Sequence, residues 1–401
     1  MSWRRLTIGD LVNAEAADIQ TGPFGTQLKA SNYVAEGTPV INVRNIGFGQ
    51  LKPNKLEFVA EETVDRLVSH LLEPNDIVFG RKGAVERHLY VNSEQQHWMQ
   101  GSDCIRLRFM TDEVVPRFVS YAFLTDAHQK WMLTQAGNKA TMASLNHDII
   151  KRIDLRLPSR GVQDSIVDIL SAYDDLIENN RRRMGLLEDA ARQLYREWFV
   201  RLRFPGHEHT RIVDGVPEGW ERVKLGELAE ITMGQSPESK HYNEDSEGFP
   251  FHQGVTDFGD RFVTHRIYST AMNRIAGPGD ILCSVRAPVG RLNVTLDKIV
   301  IGRGLAALRS KTGHQSLLLQ QLRAHFFKED LIGGGAIFAS VTKKEFSAQG
   351  LLEPPERLKR AFEDVTVPCD EQIRVLHLQN QKLRAARDLL LPRLMSGEVT
   401  A

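Results

Sequence analysis

Residues 196 to 208 read REWFVRLRFPGHE. A charged helical pattern runs into Trp198 and Phe199 and then stops at Pro205-Gly206, near the middle of the chain. Proline and glycine together end a helix, so the stretch marks the close of one unit and the exit toward another. Upstream of it, Ile166, Leu170, Tyr173, Ile177, Asn180, Met184, Leu187, Ala191, Leu194 and Trp198 step alternately by four and three. That is the a/d seam of a heptad pattern. It predicts a helix from about Gln163 to Val200, roughly 55 Å long at 1.5 Å per residue. A helix of that length with a single apolar stripe requires a partner helix.

The partner is found by looking for repetition, because the chain is written twice. WRRLTIGDLV from Trp3 returns as WERVKLGELA from Trp220. EPNDIVFGRKGAVER (73–87) is echoed by GPGDILCSVRAPVGR (277–291), each a turn, an Asp-Ile-aliphatic strand and a glycine-containing basic turn. GNKATMASLNHD (137–148) is matched by GGGAIFASVTKK (333–344), where Ser144 falls on Ser340 at an offset of 196 residues. The same offset carries the first seam onto Phe362, Thr366, Cys369, Ile373, Leu376, Asn380, Leu383, Arg387, Leu390 and Leu394. Both seams hold an Asn at the same step, a residue that costs stability and can set register. Pro368 suits the first turn of this second helix, and Gly397 lies just past its end. The expected fold is α/β (α+β): two similar domains, each followed by a long helix, with the helices packed as an antiparallel coiled coil. Expected boundaries are 1–158 and 205–355 for the domains, 159–204 and 356–401 for the helices.

The totals fit that division. A chain of 401 residues exceeds what one core usually serves. Apolar and charged fractions of 41% and 25% are those of a globular protein. No run approaches a membrane span, and MSWRRLTIGD has no signal-peptide core, so the chain is expected in the cytoplasm. Cys104, Cys283 and Cys369 are far apart and imply neither disulfides nor a zinc site. The 51 basic and 51 acidic residues balance, which argues against a uniformly basic surface but not against local basic loops.

Catalytic patterns are missing. No GxxxxGK[ST] loop occurs, and Gly333-Gly334-Gly335 lacks the lysine that would follow in one. No GxSxG elbow is present. His207 and His209 lack the further ligands a metal site needs. Glu353-Pro354-Pro355 lacks the leading Asn or Asp and the trailing aromatic of an amino-group DNA methyltransferase. What remains are polar, glycine-punctuated loops in matching places in the two halves. Arg and Lys suit guanine edges or phosphate, and Asn and Gln suit adenine. The candidate DNA contacts are Lys29, Asn32, Arg44, Asn45, Arg81, Lys82, Arg87, Asn138 and Lys139 in the first half. In the second they are Gln235, Lys240, Gln253, Arg261, Arg286, Arg291, Lys343 and Lys344. Arg181, Arg182 and Arg183 read as a solvated helix face.

The helical segments IVDILSAYDDLIENN…LYREWFVRLRFPGHE and DEQIRVL…LRAARDLLLPRLMSGEV resemble the conserved regions of specificity subunits of type I restriction–modification systems. The resemblance covers the whole chain in architecture and is strong in sequence over roughly 160–220 and 365–400. It implies a non-catalytic subunit whose two domains each read half of a split, asymmetric double-stranded DNA site. It implies that the helices set the gap and dock two methyltransferase subunits, with motor-nuclease subunits joining for cleavage. No cofactor is expected on this chain; S-adenosylmethionine, ATP and magnesium belong to the partners. Candidate partner contacts are Trp198, Phe199, Phe204, Arg387, Leu390 and Leu394, although the aromatics suit the chain's own core equally. A direct repeat on antiparallel helices places its domains like the halves of a two-fold dimer, which usually read half-sites about 34–36 Å apart. Thr366 and Arg387 weaken the second seam. The competing readings are a self-contained methyltransferase or nuclease, disfavoured by the missing motifs, and an orphan DNA-binding or coiled-coil scaffold protein.

Overall fold

Where apolar residues alternate or run together the chain forms strands, and along the two heptad seams it forms helices. The computed structural model describes residues 3–137, 144–326 and 340–401. The chain divides into two units, Met1–Asn179 with Gln379–Ala401, and Asn180–Leu378.

In the first unit Arg4–Thr7 pairs antiparallel with Asp154–Leu157. Thr7 and Asp10 then form a capping box that starts the helix Ile8–Asn13. An antiparallel sheet follows in the spatial order Ala17–Thr21, Cys104–Phe109, Ile77–Gly80, His88–Tyr90. A second sheet runs Tyr33–Val34, Glu57–Val59, Thr38–Ile41, Met99–Gln100, its last pair parallel. Side chains alternate across the first sheet as period two requires. Ile77 and Phe79 enter one cluster with Phe118, Tyr121, Ile166 and Leu394, whereas Val78 enters another with Ile41, Leu72 and Leu89.

The second unit repeats this plan. Glu221–Lys224 pairs with Gly350–Glu353. One sheet runs Ala229–Met233, Leu305–Ser310, Ile281–Ser284, Leu292–Val294. The other runs Tyr242–Asn243, Tyr268–Ser269, Phe249–His252, Ile299–Ile301, with Ile275–Ala276 added at the edge. The parallel pair recurs between Phe249–His252 and Ile299–Ile301. Ion pairs recur too: Arg108 holds Asp76 at 2.7 Å and Arg309 holds Asp280 at 2.6 Å, each tying the turn before a central strand to its neighbour.

The first long helix spans Arg160–Tyr195 and widens into a π-helical turn at Arg196–Val200. Its end is set by the Arg201 amide bonding the Arg196 carbonyl and by left-handed Leu202 (φ 56°) and Gly206 (φ 92°). The second spans Glu356–Ser396, with left-handed Gly397 (φ 74°) just beyond. Pro368 therefore lies well inside this helix, not in its first turn; Pro354-Pro355 precede the start. Pro368 and Asp364, whose carbonyl loses its helical donor, are both exposed, so water can bond that carbonyl. Buried Phe362, Thr366 and Ile373 hold the seam on either side of it. The Thr366 hydroxyl, 1% exposed, is satisfied by the Phe362 carbonyl at 3.0 Å. Packing overrides propensity here.

The seam pairs run in opposite directions within each unit. In the first, Asp174 meets Arg387 and the Ile177 carbonyl accepts from Asn380 Nδ2 at 3.1 Å. In the second, Glu188 and Asp370 meet through Arg261, and Tyr195 packs its ring 6.2 Å from that of Phe362. The helices are antiparallel. Asn180 and Asn380 are both buried at 5% exposure, as seam residues should be. Leu394 is buried with the first core, and Leu390 packs against it. Phe199 and Phe204 are buried with Trp220, Leu317, Leu358 and Phe362, and Trp198 packs against that cluster. Their place is in the chain's own core, which removes Phe199, Phe204 and Leu394 as surface seats for a partner.

Each domain is tied to its helices by polar contacts. Asp174 accepts from Arg117 at 3.0 Å, from the Tyr121 hydroxyl at 2.7 Å and from Arg387 at 2.7 Å. Asp370, 196 residues later, accepts from Arg261 at 2.6 Å and from the Ser316 hydroxyl. Gln163 Oε1 takes the Val115 amide at the start of the helix Pro116–Phe123. Glu363 does the same for the Leu317 amide at 2.8 Å. Burial raises the Glu363 carboxyl to about 7, with Asp370 adding to the effect and the amide opposing it. The folded pKa lies above the unfolded one, so stability falls as pH rises from about 4.5 to about 7. Glu363→Gln is expected to flatten that slope and to be the more stable form above about pH 7. Urea unfolding at about pH 5 and pH 8 reads the difference; equal slopes for both proteins would refute it.

Candidate nucleic-acid interface

The polar loops converge because a few backbone bonds sew them to one end of the main sheet. In the first unit the Gly22 amide bonds the Cys104 carbonyl and the Gly101 amide bonds that of Ile41. The Arg81 amide bonds Asp103 O, and the Leu145 amide bonds Arg81 O, while Lys82 bridges to Ser144. In the second unit Gly234 bonds Leu305, Gly302 bonds His252, Val285 bonds Gly304, Val341 bonds Val285, and Arg286 bridges to Ser340. The two sets correspond bond for bond. Glycine is required at the closest approach: a Cβ on Gly22 would lie 1.9 Å from the Gly101 carbonyl oxygen, and one on Gly234 2.1 Å from that of Gly302. Two unlike sequences thus present their loops on the same frame.

In the first unit Lys29 and Lys82 are exposed, Lys82 lying 3.8 Å from Asp103. Arg44 is exposed and paired with Glu57. Arg81 is half-buried. Arg87 is half-buried with its guanidinium 5.3 Å from the centre of the exposed Phe48 ring. Asn32 faces its own turn, accepting the Lys29 amide at 2.8 Å. Asn45 is fully buried. Its Nδ2 donates to the carbonyls of Lys52 and Asn54 and its Oδ1 accepts from the Asn42 amide, which leaves it organising the loop and not reading a base. Asn138 and Lys139 lie outside the described residues.

In the second unit Gln235, Gln253, Arg286, Arg291, Lys343 and Lys344 are exposed, and Lys240 is exposed beside Glu238 at 2.7 Å. Arg261 is 7% exposed and held by Glu188 at 3.3 Å and Asp370 at 2.6 Å. It is a buried anchor to the helices and has no face toward a ligand. Arg387 in the first unit is likewise occupied, by Asp174 and Asp388. Arg181, Arg182 and Arg183 are exposed.

The sequence reading missed Arg303, exposed Phe24 and exposed Phe48. A signal existed for Arg303. GSDC (101–104) and GRGL (302–305) are the same turn, each beginning with the glycine whose amide closes the loop. His252 is buried at 0% exposure and shares a 3.0 Å hydrogen bond with His265, which reaches Asp297 at 3.0 Å. Burial lowers His252 to about 4, so it stays neutral and acts as part of the loop's support. Among the described residues no group of three or more His, Cys, Asp or Glu is placed to hold a metal ion. No described helix is long and apolar enough to cross a membrane.

Residues 2–188 and 217–356 match the family model of the type I restriction modification DNA specificity domain. A relative from Methanocaldococcus jannaschii, provisionally named the type I restriction enzyme MjaX specificity subunit, is 27% identical over 373 residues, 90% of this chain and 87% of its own. The type I restriction enzyme HindI specificity subunit of Haemophilus influenzae is 20% identical over 78% of this chain and 84% of its own. The fold is that of the type I restriction–modification S subunit from M. genitalium, with a TM-score of 0.60 at 14% identity, over 98% of this chain and 96% of that one. Two such domains on antiparallel seam helices, with matched loop frames and unlike loop side chains, are one architecture in sequence and in space, and the chain belongs to the family of type I restriction–modification DNA specificity subunits.

Proposed function

We propose that this chain is the non-catalytic reading subunit of a type I restriction–modification complex in the cytoplasm. Each domain reads one half of a split, asymmetric double-stranded DNA site, and the helices set the gap between halves. The helices also dock two methyltransferase subunits, which bind S-adenosylmethionine, and motor-nuclease subunits, which use ATP and magnesium. What carries the reading is the repeat itself. Two domains keep the same backbone frame while Ser102 is exchanged for Arg303 and Asp103 for Gly304, as two readers of different half-sites require. The exposed apolar residues Leu186 (70%), Leu389 (68%) and Val200 (57%) suit partner contact better than the buried aromatics do.

The test replaces both Arg81 and Lys82 with Ala in the chain expressed beside its methyltransferase. Methylation of sites should fall through loss of the first half-site, while the complex still co-purifies. Each lost base or phosphate contact is worth roughly 1–3 kcal/mol. Dissociation of the complex would instead make these residues structural. Methylation that persists on unrelated sequences with the whole chain removed would favour a scaffold role.

A further inference from the structure

The second unit carries a cleft of about 190 Å³ where its loops meet, lined by Gln253, Gly254, Ser284, Arg286, Arg303 and Gly304 among others. The copies differ locally beside it. Ile41 and His252 are equivalent, each carbonyl accepting from the turn glycine. The following 3-10 helix starts at Val43 in the first unit, two residues on, and at Val255 in the second, three residues on. The second unit thus carries one extra residue beside the cleft. Gly302 and Gly304 make room for it: a Cβ on Gly304 would stand 2.3 Å from the Gln253 carbonyl oxygen.

The charges differ as well. In the first unit two of the cations near this position have acidic partners, Lys82 with Asp103 and Arg44 with Glu57. In the second, Gly304 stands where Asp103 would, and among the described residues no acidic residue lines the cleft. Arg286 and Arg303 are exposed, and among the described residues neither guanidinium has a carboxylate partner. Two unneutralised guanidiniums beside an amide favour a ligand rich in acceptors. Guanine's O6/N7 edge and a phosphate share that chemistry.

The repeat separates the two cations. Arg286 corresponds to Lys82, so a positive charge stands there in both domains and cannot tell one half-site from the other. Arg303 corresponds to Ser102 and is particular to the second domain. We propose that the cleft is a base-reading pocket, with Arg303 reading a guanine edge in the second half-site and Arg286 holding the adjoining phosphate. The proposal rests on the DNA-reading function above and names one residue by which the halves differ.

The experiment maps methyladenine made by the whole complex carrying the wild-type chain, Arg303→Ala or Arg286→Ala. It is joined to binding of target duplexes at several salt concentrations. Arg303→Ala should relax one guanine position in the second half-site and reduce discrimination there roughly ten- to hundredfold, leaving the first half-site unchanged. Arg286→Ala should weaken all duplexes alike and lower the salt slope by about one. Both residues lie on exposed loops, and unchanged unfolding curves would confirm intact folds. A motif unaltered by Arg303→Ala, or uniform weakening with a reduced salt slope, overturns base reading by Arg303; the latter makes it a phosphate contact. If the wild-type complex leaves no split motif at all, the proposed function falls and the cleft's assignment with it.

Discussion

Glu188→Ala is expected to destabilise the second unit by about 3–5 kcal/mol, the range for removing one partner of a buried ion pair. Glu188 lies on the first long helix and receives Arg323 at 2.9 Å and Arg261 at 3.3 Å. Asp370, on the second long helix, receives Arg261 as well. Among the described residues Arg261 and Arg323 face Glu188 and Asp370, with Arg192 close enough to add positive charge, in a site where Arg261 is 7% exposed and Glu188 15%. Without Glu188, two guanidiniums face one carboxylate, and Arg323 has lost its acidic partner. Burial already pulls the Arg323 pKa down, with Glu188 opposing; the change removes that opposition. Denaturant unfolding with hydrogen exchange over 180–378 measures the effect. The exposed contact of Glu197 with Arg201 and Arg203 is the contrast, and Glu197→Ala should cost about 0–1 kcal/mol. Equal costs at the two positions would show that the cluster does not anchor the domain.

The repeat, the seams and the strand after each Asp-Ile were legible because periodicity survives in the residues themselves. Ile77–Gly80 and Ile281–Ser284 fall where the echoed motifs place them. What escaped depended on partners distant in sequence. Asn45 and Arg261 look like any polar loop residue until Lys52, Asn54, Glu188 and Asp370 surround them. A seam read only for apolar residues passes over Asp174 and Asp370, although their separation is the repeat's own offset. Arg387, which seemed to weaken the second seam, is the cation that Asp174 receives there. Pro368 misled because propensity puts proline in a first turn, while tertiary packing holds the helix through it. The loop contacts were the least legible part, since a loop's backbone frame is shared by both domains and only its side chains distinguish them.

Lengthening both long helices by one heptad is expected to change the target, replacing the wild-type gap with a longer one. Seven residues add about 10.5 Å of helix, as much as about three base pairs along a duplex at 3.4 Å each. The insertion must enter both helices at matched steps, beside Asn180 and Asn380, because the pairs run antiparallel and the seam keeps its register only if both grow together. Placed in one helix alone, it would shift Asn380 from the Ile177 carbonyl and Arg387 from Asp174, and stability should fall with no new specificity. Placed in both, the buried contacts of each unit persist, so folding and half-site sequences should stay as they were. Each added base pair also turns the duplex by about 34–36°, at 10–10.5 pairs per turn, whereas a heptad returns the helix nearly to its starting face. The gap that grows is therefore the one whose rotation the domains can meet, between one and about three pairs. Methyladenine mapping reads it directly. A new motif with the old half-sites and a longer gap assigns the spacing to the helices; an unchanged gap in a folded, active complex assigns it elsewhere and removes the spacer role.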